Sequence, residues 1–309
     1  MIRVLGANPA MDRTHLIENL RGGEVNRVSS TRVFAGGKGL DVARTVRKLG
    51  VPVAAYGFLG GDIGVAVRRA CRTAGIEDKH TEIKGETRVC NIYVEPNTKR
   101  VTVVNEKGPT VSEQEQEQLI NLMLADVQDG DFLVLSGSLP EGVPDSFYGR
   151  IIRELANKKV YTIVDATGNV LKEAIAARPW MIKPNIYEFK QAFTSVKDGS
   201  DLYTEIQSVL KDGISNVIVT LGDQGCLAAN AVKTFYVRVP KVDVVSPIAS
   251  GDTLVGGFVA KYVESHDFEE AVRFANACAV ANALNPMPEL PSDCDLKELT
   301  DLTTVEVAG

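Results

Sequence analysis

The chain has little with which to build metal sites or disulfides: three histidines and five cysteines in 309 residues. His15, His80 and His266 lie far apart without ligand-like spacing, which leaves a zinc site or a histidine-based nucleophilic triad unsupported. Cys71, Cys90, Cys226, Cys278 and Cys294 stand singly and form no Cys-x-x-Cys pair, so reduced, structural thiols are expected. Basic residues are also short. Lys and Arg number 34 against 40 Asp and Glu, and the net charge of −6 argues against a nucleic acid or an anionic membrane as the main partner, since both need a basic surface. Nowhere do eighteen apolar residues run together, and Met1-Ile2-Arg3-Val4-Leu5 does not open a basic region followed by a long apolar core. A cytoplasmic protein is expected. Low-complexity tracts and tandem repeats are absent as well.

What is present is an ordinary globular composition, 44% hydrophobic and 24% charged. The length is large for one domain, but α/β folds reach it around a single sheet. An acidic chain can still bind phosphate with a few placed cations. Arg27, Lys38, Arg88 and Lys183 are the candidates; each is otherwise a solvated surface charge.

From the middle onward, short β-branched runs alternate with helical patterns. Phe132 to Leu135, Val160 to Val164, Trp180 to Ile182 and Val217 to Val219 read as strands; Phe147 to Leu155, Ile186 to Phe193 and Leu202 to Leu210 read as helices. The N-terminal part fits, with Val53 to Phe58 between helical patterns at Leu40 to Leu49 and Ile63 to Ala74. Such alternation implies a parallel sheet covered on both faces. Glu24 to Phe34 and Thr87 to Asn105 break the rhythm, the second as a hairpin of Val89 to Glu95 and Arg100 to Asn105. Without intervening helices they predict a small separate sheet, either a lid or an edge hairpin with no moving role. A lid sheet left exposed can pair with its copy in a homodimer.

In open parallel sheets ligands sit beyond the carboxyl ends of the strands. There this chain places Ser136-Gly137-Ser138, Asp165, Lys183-Pro184-Asn185 with Glu188, and Thr220-Leu221-Gly222 running on to Gly225. Ala35-Gly36-Gly37-Lys38-Gly39 precedes a helical pattern and fits neither a Walker A loop nor the dinucleotide fingerprint. A cation at the positive end of a helix is unfavourable unless an anion compensates it, so Lys38 is either an anion ligand or an exposed lysine. Pro247 to Phe258 reads as a tight loop opening a helix, with amide donors near Gly251 and Asp252. Asp252 there either caps the helix or takes a proton from an attacking hydroxyl.

Taken together, the segments Ala35 to Gly50 and Val242 to Phe258, with Lys183-Pro184-Asn185, Glu188 and Thr220-Leu221-Gly222 in order between them, resemble the ribokinase-like (PfkB) carbohydrate kinases. Asn8-Pro9-Ala10-Met11-Asp12, Gly23-Glu24-Val25-Asn26, the Gly-Gly-Lys-Gly run and Ser136-Gly137-Ser138-Leu139-Pro140 resemble the 1-phosphofructokinase and tagatose-6-phosphate kinase branch. The resemblance covers nearly the whole chain. It implies a single kinase domain over 1–309 with a three-layer α/β/α fold, a mainly parallel central sheet and a small β-sheet lid from about 10–34 and 86–107. It implies ATP and Mg²⁺, with Asp252 as general base and the amides of Ala249, Ser250, Gly251 and Asp252 facing the transferred charge. On the acceptor side it places Asp12, Gly36, Gly37, Lys38, Arg88 and Ser138, with Lys38 and Arg88 suited to an acceptor already phosphorylated. Lys183, Asn185, Thr220, Gly222 and Gly225 fall to the nucleotide and its phosphates, and Asn276 to the adenine region. Asn185 and Glu188 fall near the metal, mostly through water.

Two positions depart from the family. Ala249 stands where Gly is usual, and Asp41 where Asn is usual. A carboxylate cannot donate to a substrate oxygen and repels a phosphate, so Asp41 either pairs with Lys38 or meets a hydroxyl of a different sugar. The expected reaction is phosphorylation of a ketose phosphate: fructose 1-phosphate at its 6-hydroxyl, or else tagatose 6-phosphate. A sugar-phosphate sensor without turnover is the rival from another class. The glycine spacing speaks against a nicotinamide dehydrogenase.

Overall fold

The computed structural model describes residues 1–193 and 202–308. Its strands begin with β1 (Ile2–Leu5), β2 (Ala10–Leu16), β3 (Ser30–Gly36), β4 (Val53–Tyr56), β5 (Phe58–Leu59), β6 (Glu77–Asp78), β7 (Thr81–Glu82), β8 (Arg88–Glu95) and β9 (Arg100–Asn105). They continue with β10 (Phe132–Ser136), β11 (Tyr161–Asp165), β12 (Met181–Ile182), β13 (Asn216–Thr220), β14 (Cys226–Asn230), β15 (Thr234–Arg238) and β16 (Thr304–Val307). The helices are α1 (Lys38–Lys48), α2 (Gly61–Thr73), α3 (Glu113–Asp126), α4 (Phe147–Glu154), α5 (Gly168–Ala176), α6 (Ile186–Ala192), α7 (Leu202–Lys211), α8 (Ser250–Ser265), α9 (Phe268–Ala283) and α10 (Leu296–Leu302).

A ten-stranded sheet runs β16-β15-β14-β13-β12-β11-β10-β1-β4-β6. It is parallel from β13 to β6 and antiparallel across β14, β15 and β16. Alternation along each strand splits the core in two. Leu133 and Leu135 of β10 pack with Leu119 and Ile120 of α3 and Tyr148 of α4 on one face, while Phe132 and Val134 pack with Leu254, Val255 and Phe258 of α8 on the other. Each such buried side chain contributes about 1.5–3 kcal/mol, which holds helices on both faces and makes the fold three-layered.

A second sheet, β3-β2-β8-β9, stands apart, as the break in alternation predicts. The hairpin of β8 and β9 has the expected register, Cys90 opposite Asn105 and Glu95 opposite Arg100. The other expected stretch needs correcting at its start. Strand β3 begins at Ser30, because Asn26 folds the preceding segment into a turn, accepting from the Arg21 amide at 2.9 Å and donating to the Arg21 and Glu24 carbonyls at 2.8 and 3.0 Å. Arg27 lies exposed in that loop and not among the residues lining the cavity described below.

Candidate active site

The small sheet and the carboxyl ends of β1, β10 and β11 enclose a cavity of about 300 Å³. Gly37, Lys38 and Asp41 line it from α1, Asp12 and Arg88 from β2 and β8, Ser138 from the turn after β10, and Ala249 and Asp252 from the start of α8. Segments distant in sequence thus converge. The closeness depends on missing side chains. A Cβ on Gly39 would come within 2.6 Å of the Gly6 Cα, so the start of α1 seats directly on the end of β1. A Cβ on Gly36 would lie 2.1 Å from the Asp12 Cγ, so the Asp12 carboxyl occupies the space Gly36 leaves.

At the start of α8, Ala249 is the N-cap, with φ 62° and ψ 4°, and Asp252 sits in the first turn. The capping role open to Asp252 is not realised: no side chain caps this helix. Ser250 N donates to the Pro247 carbonyl at 3.2 Å, whereas among the described residues no acceptor is found for the amides of Gly251 and Asp252. Of the four amides that the resemblance places there, that of Ser250 is taken by Pro247, and that of Ala249 has no acceptor among the described residues either. Asp252 itself is 7% exposed and its Oδ1 has no partner. Burial pushes its carboxyl up to about 7, with the Lys38 ammonium opposing and the Asp165 charge adding. A carboxyl poised near neutrality, buried and unpartnered, is suited to accept a proton.

Two lysines flank it. Asp165, fully buried at the end of β11, has Oδ1 3.4 Å from Lys38 Nζ and 3.3 Å from Lys183 Nζ. Burial pushes the Asp165 carboxyl up, but Lys183 and Lys38 outweigh it and hold it below the ordinary range. In return Asp165 raises Lys38, with smaller help from Asp252 and Glu188. Lys38 therefore pairs with Asp165. Asp41, in the first turn of α1, pairs instead with Arg44, whose Nη2 lies 2.6 Å from its Oδ1. The expected alternative of a Lys38–Asp41 pair is thereby corrected.

Arg88 reaches along β8 and donates from Nη2 to the Asn8 carbonyl at 2.9 Å, which sets its guanidinium at the cavity edge beside Asn8 and Asp12. Asp12 is pushed up by burial, against Arg44 and the Gly37 amide. The orphaned oxygens gather here: Asn8 Oδ1, Asp12 Oδ1, Ser136 Oγ and Asp252 Oδ1 all belong to residues lining the cavity and lack partners. Leaving a buried polar group unpaired costs about 1–3 kcal/mol, so the wall is built for a ligand rich in hydroxyls.

The remaining candidates lie at the ends of β12 and β13. Lys183 is 3% exposed, and a Cβ on Gly251 would be 3.6 Å from its Nζ. Thr220 closes β13 and bridges to Asn185, and Gly222 and Gly225 frame the 3-10 turn that follows, both at positive φ. Asn185 and Glu188 form a capping box at the start of α6. Asn185 Oδ1 accepts from the Tyr187 and Glu188 amides, each at 2.9 Å, and Glu188 Oε2 accepts from Asn185 N at 2.8 Å. Asn185 thus has its one acceptor oxygen doubly occupied. Asn276 sits buried on α9, donating to the Val272 carbonyl at 2.8 Å and to Cys226 Sγ at 3.3 Å, which turns its amide inward. The sequence reading named Asp165 at a strand end and Asn8 in a motif but not the bridge Asp165 makes between two lysines, and it missed Arg44, findable as the helical i+3 neighbour of Asp41.

The described residues contain no helix long and apolar enough to cross a membrane. The family model for pfkB family carbohydrate kinases matches residues 3–292. A tagatose-6-phosphate kinase of Staphylococcus epidermidis is 34% identical over 288 residues, covering 92% of either chain. A 1-phosphofructokinase of Borreliella burgdorferi is 32% identical over 286 residues, again 92% of each. The crystal structure of phosphofructokinase-2 from Escherichia coli in complex with potassium superposes with a TM-score of 0.90 at 26% identity, over 97% of this chain and 98% of that one. With the family signature spanning nearly the whole length and a buried, unpartnered carboxyl at the start of α8 between two lysines, this chain belongs to the pfkB family of carbohydrate kinases and is a phosphotransferase acting on an alcohol group.

Proposed function

We propose that the chain transfers the γ-phosphoryl group of ATP to a phosphorylated ketose, fructose 1-phosphate at its 6-hydroxyl, giving the 1,6-bisphosphate. The observation that carries this reading is Asp252: its unpartnered Oδ1 in the cavity wall, the unpaired amides of Gly251 and Asp252, and Lys38 and Lys183 held beside it on Asp165. Asp252 takes the proton of the attacking hydroxyl as its oxygen bonds to the γ-phosphorus. The bond from that phosphorus to the bridging oxygen breaks, and ADP leaves with the electron pair. Phosphoryl transfer needs positioning and charge neutralisation more than covalent help. Lys38, Lys183 and the unpaired amides at the start of α8 supply both. Arg88, at the acceptor end of the cavity, gives the acceptor's own phosphate a partner.

Lys183, Thr220, Gly222 and Gly225 bind the nucleotide in this reading. A divalent cation fits the site in a restricted way. Among the described residues no three His, Cys, Asp or Glu side chains converge to hold a metal, so a bound ion would be held mainly by phosphate oxygens and water. Glu188, whose Oε1 has no partner among the described residues, would be the protein group to meet it, mostly through water. When bound, the ion neutralises the triphosphate. Tagatose 6-phosphate is the alternative acceptor, supported by the relative of that name. ADP release measured over a panel of phosphorylated and free ketoses with ATP and Mg²⁺ tests the assignment. Turnover confined to phosphorylated ketoses is expected; turnover on free sugars only, or binding without turnover, overturns it.

A further inference from the structure

Asn282, in the last turn of α9, is fully buried, and both polar atoms of its side chain are spent on the turn that opens α8. Its Nδ2 donates to the Ile248 carbonyl at 2.7 Å and to Ser250 Oγ at 3.0 Å, and its Oδ1 accepts from Thr253 Oγ1 at 3.3 Å. A carbonyl can only accept, so the contact with Ile248 fixes which way the amide points. The next residue of α9 acts through its backbone: the Ala283 carbonyl accepts from the Val245 and Ser246 amides at 2.9 and 3.1 Å. The chain leading into α8 is thus fastened along the end of α9.

The two partners of Nδ2 flank Ala249, the residue held at φ 62° and ψ 4°. A left-handed conformation is unfavourable for a residue with a side chain and persists where its surroundings enforce it. Asn282 ties the residue before Ala249 to the residue after it, and so opposes relaxation of the turn. Ile248, Ala249 and Asp252 all line the cavity, whereas Asn282 is not among the lining residues. The shape of the turn sets where the unpaired amides aim and where the Asp252 carboxyl stands. We propose that Asn282 is a positioning residue for phosphoryl transfer, which holds the left-handed turn at Ala249 and through it aims Asp252 and the neighbouring amides. The inference rests on the kinase reading above, whichever sugar is the acceptor, and adds a residue outside the cavity on which the transfer step depends.

The test compares Asn282→Leu, which nearly keeps the volume and removes all three bonds, with the same substitution in an Ala249→Gly background. Because a displacement of about 1 Å at a positioning group can cost 10²-fold in rate, Asn282→Leu should lower kcat by about 100-fold, with KM for ATP and for the acceptor within about threefold of wild type. Glycine takes the left-handed conformation without steric cost, so Ala249→Gly should raise the kcat of Asn282→Leu by about fivefold or more. Most of the Tm lost in Asn282→Leu should stay lost, since the Ile248 carbonyl remains without its donor. A loss of Tm with kcat within about threefold of wild type overturns the proposal, because the role is then structural alone. So does a loss of kcat that Ala249→Gly leaves untouched, since Asn282 then acts other than through the turn. ATP binding by each variant reports that it has folded. Should Asn282→Leu not fold, Ser250→Ala removes one bond from α8 alone and should lower kcat by about threefold to tenfold, restored by Ala249→Gly; kcat unmoved there overturns the proposal. If the wild type turns over no acceptor, the kinase reading fails and this inference falls with it; full turnover in Asn282→Leu overturns this inference alone.

Discussion

Lys38 and Lys183 share a single carboxylate oxygen, Asp165 Oδ1, at 3.4 and 3.3 Å. One lysine opens α1 and the other follows β12, so Asp165 joins these two elements, the acceptor and nucleotide sides in the proposed function. Removing it leaves Lys183 buried without a counter-charge, a change that typically costs about 3–5 kcal/mol. Asp165→Asn should therefore lower Tm as well as reduce kcat/KM by about 100-fold. Adding Lys183→Met to Asp165→Asn should recover part of the stability and none of the activity. If the double variant is as unstable as the sum of the singles, the two residues are not one unit.

For Asp252 the sign of the pH effect follows from its direction of shift. Only the ionised carboxylate can accept a proton, and burial sets it at about 7, so kcat/KM should fall about tenfold for each unit of pH below that value. Stability runs the other way. Between the ordinary aspartate range and pH 7 the folded chain keeps a proton that the unfolded chain has released, so this group's contribution declines as pH rises through that window. Asp252→Asn should lose about 100-fold or more in kcat with nucleotide affinity kept, and its Tm relative to wild type should be higher at pH 8 than at pH 5. An acid limb that persists unchanged in the Asn variant would assign the titration to another group.

Strand-rich β-branched runs made β10, β11 and β13 legible, and the absence of helices around 87–105 exposed the second sheet. The antiparallel edge was not legible. Strand β14 reads Cys-Leu-Ala-Ala-Asn, with low β propensity, and β16 joins the sheet from the far end of the chain, where pairing with β15 rather than local pattern decides. In the site, residue types were legible and partners were not. That Asp165 rather than Asp41 meets Lys38 depends on the turn of α1, which carries Asp41 around toward Arg44 while Lys38 stays at the strand ends. The amide of Asn276 was legible as polar, but its burial against Val272 depends on how α9 packs.

Ala249 adopts a left-handed conformation, φ 62°, where the family usually has glycine. A side chain there costs about 1 kcal/mol, offset in part by the lower freedom of alanine in the unfolded chain. Ala249→Gly should raise Tm by about 1–2 °C and leave kcat within about twofold, since the backbone already holds the shape that glycine would take. A fall in Tm would show that the methyl contributes packing that outweighs the strain.

Gly36 and Asp12 test whether the acceptor wall is a built surface. Gly36 pairs in register with Ala10 and Asp12 with Phe34, so the two are diagonal neighbours across β2 and β3, and the Asp12 carboxyl fills the place of a Gly36 side chain, with a Cβ 2.1 Å from its Cγ. Backbone cannot yield here without disturbing the start of α1, so in Gly36→Ala the Asp12 side chain must move. A displacement of about 1 Å at a positioning group can cost 10²-fold in rate. Gly36→Ala should raise the acceptor KM by about tenfold or more with the ATP KM unchanged, and Asp12→Ala should do the same. Because both act by removing one carboxylate from one place, the double variant should be little worse than either single, and multiplying effects would mean that Gly36 serves the acceptor through its own amide rather than through Asp12.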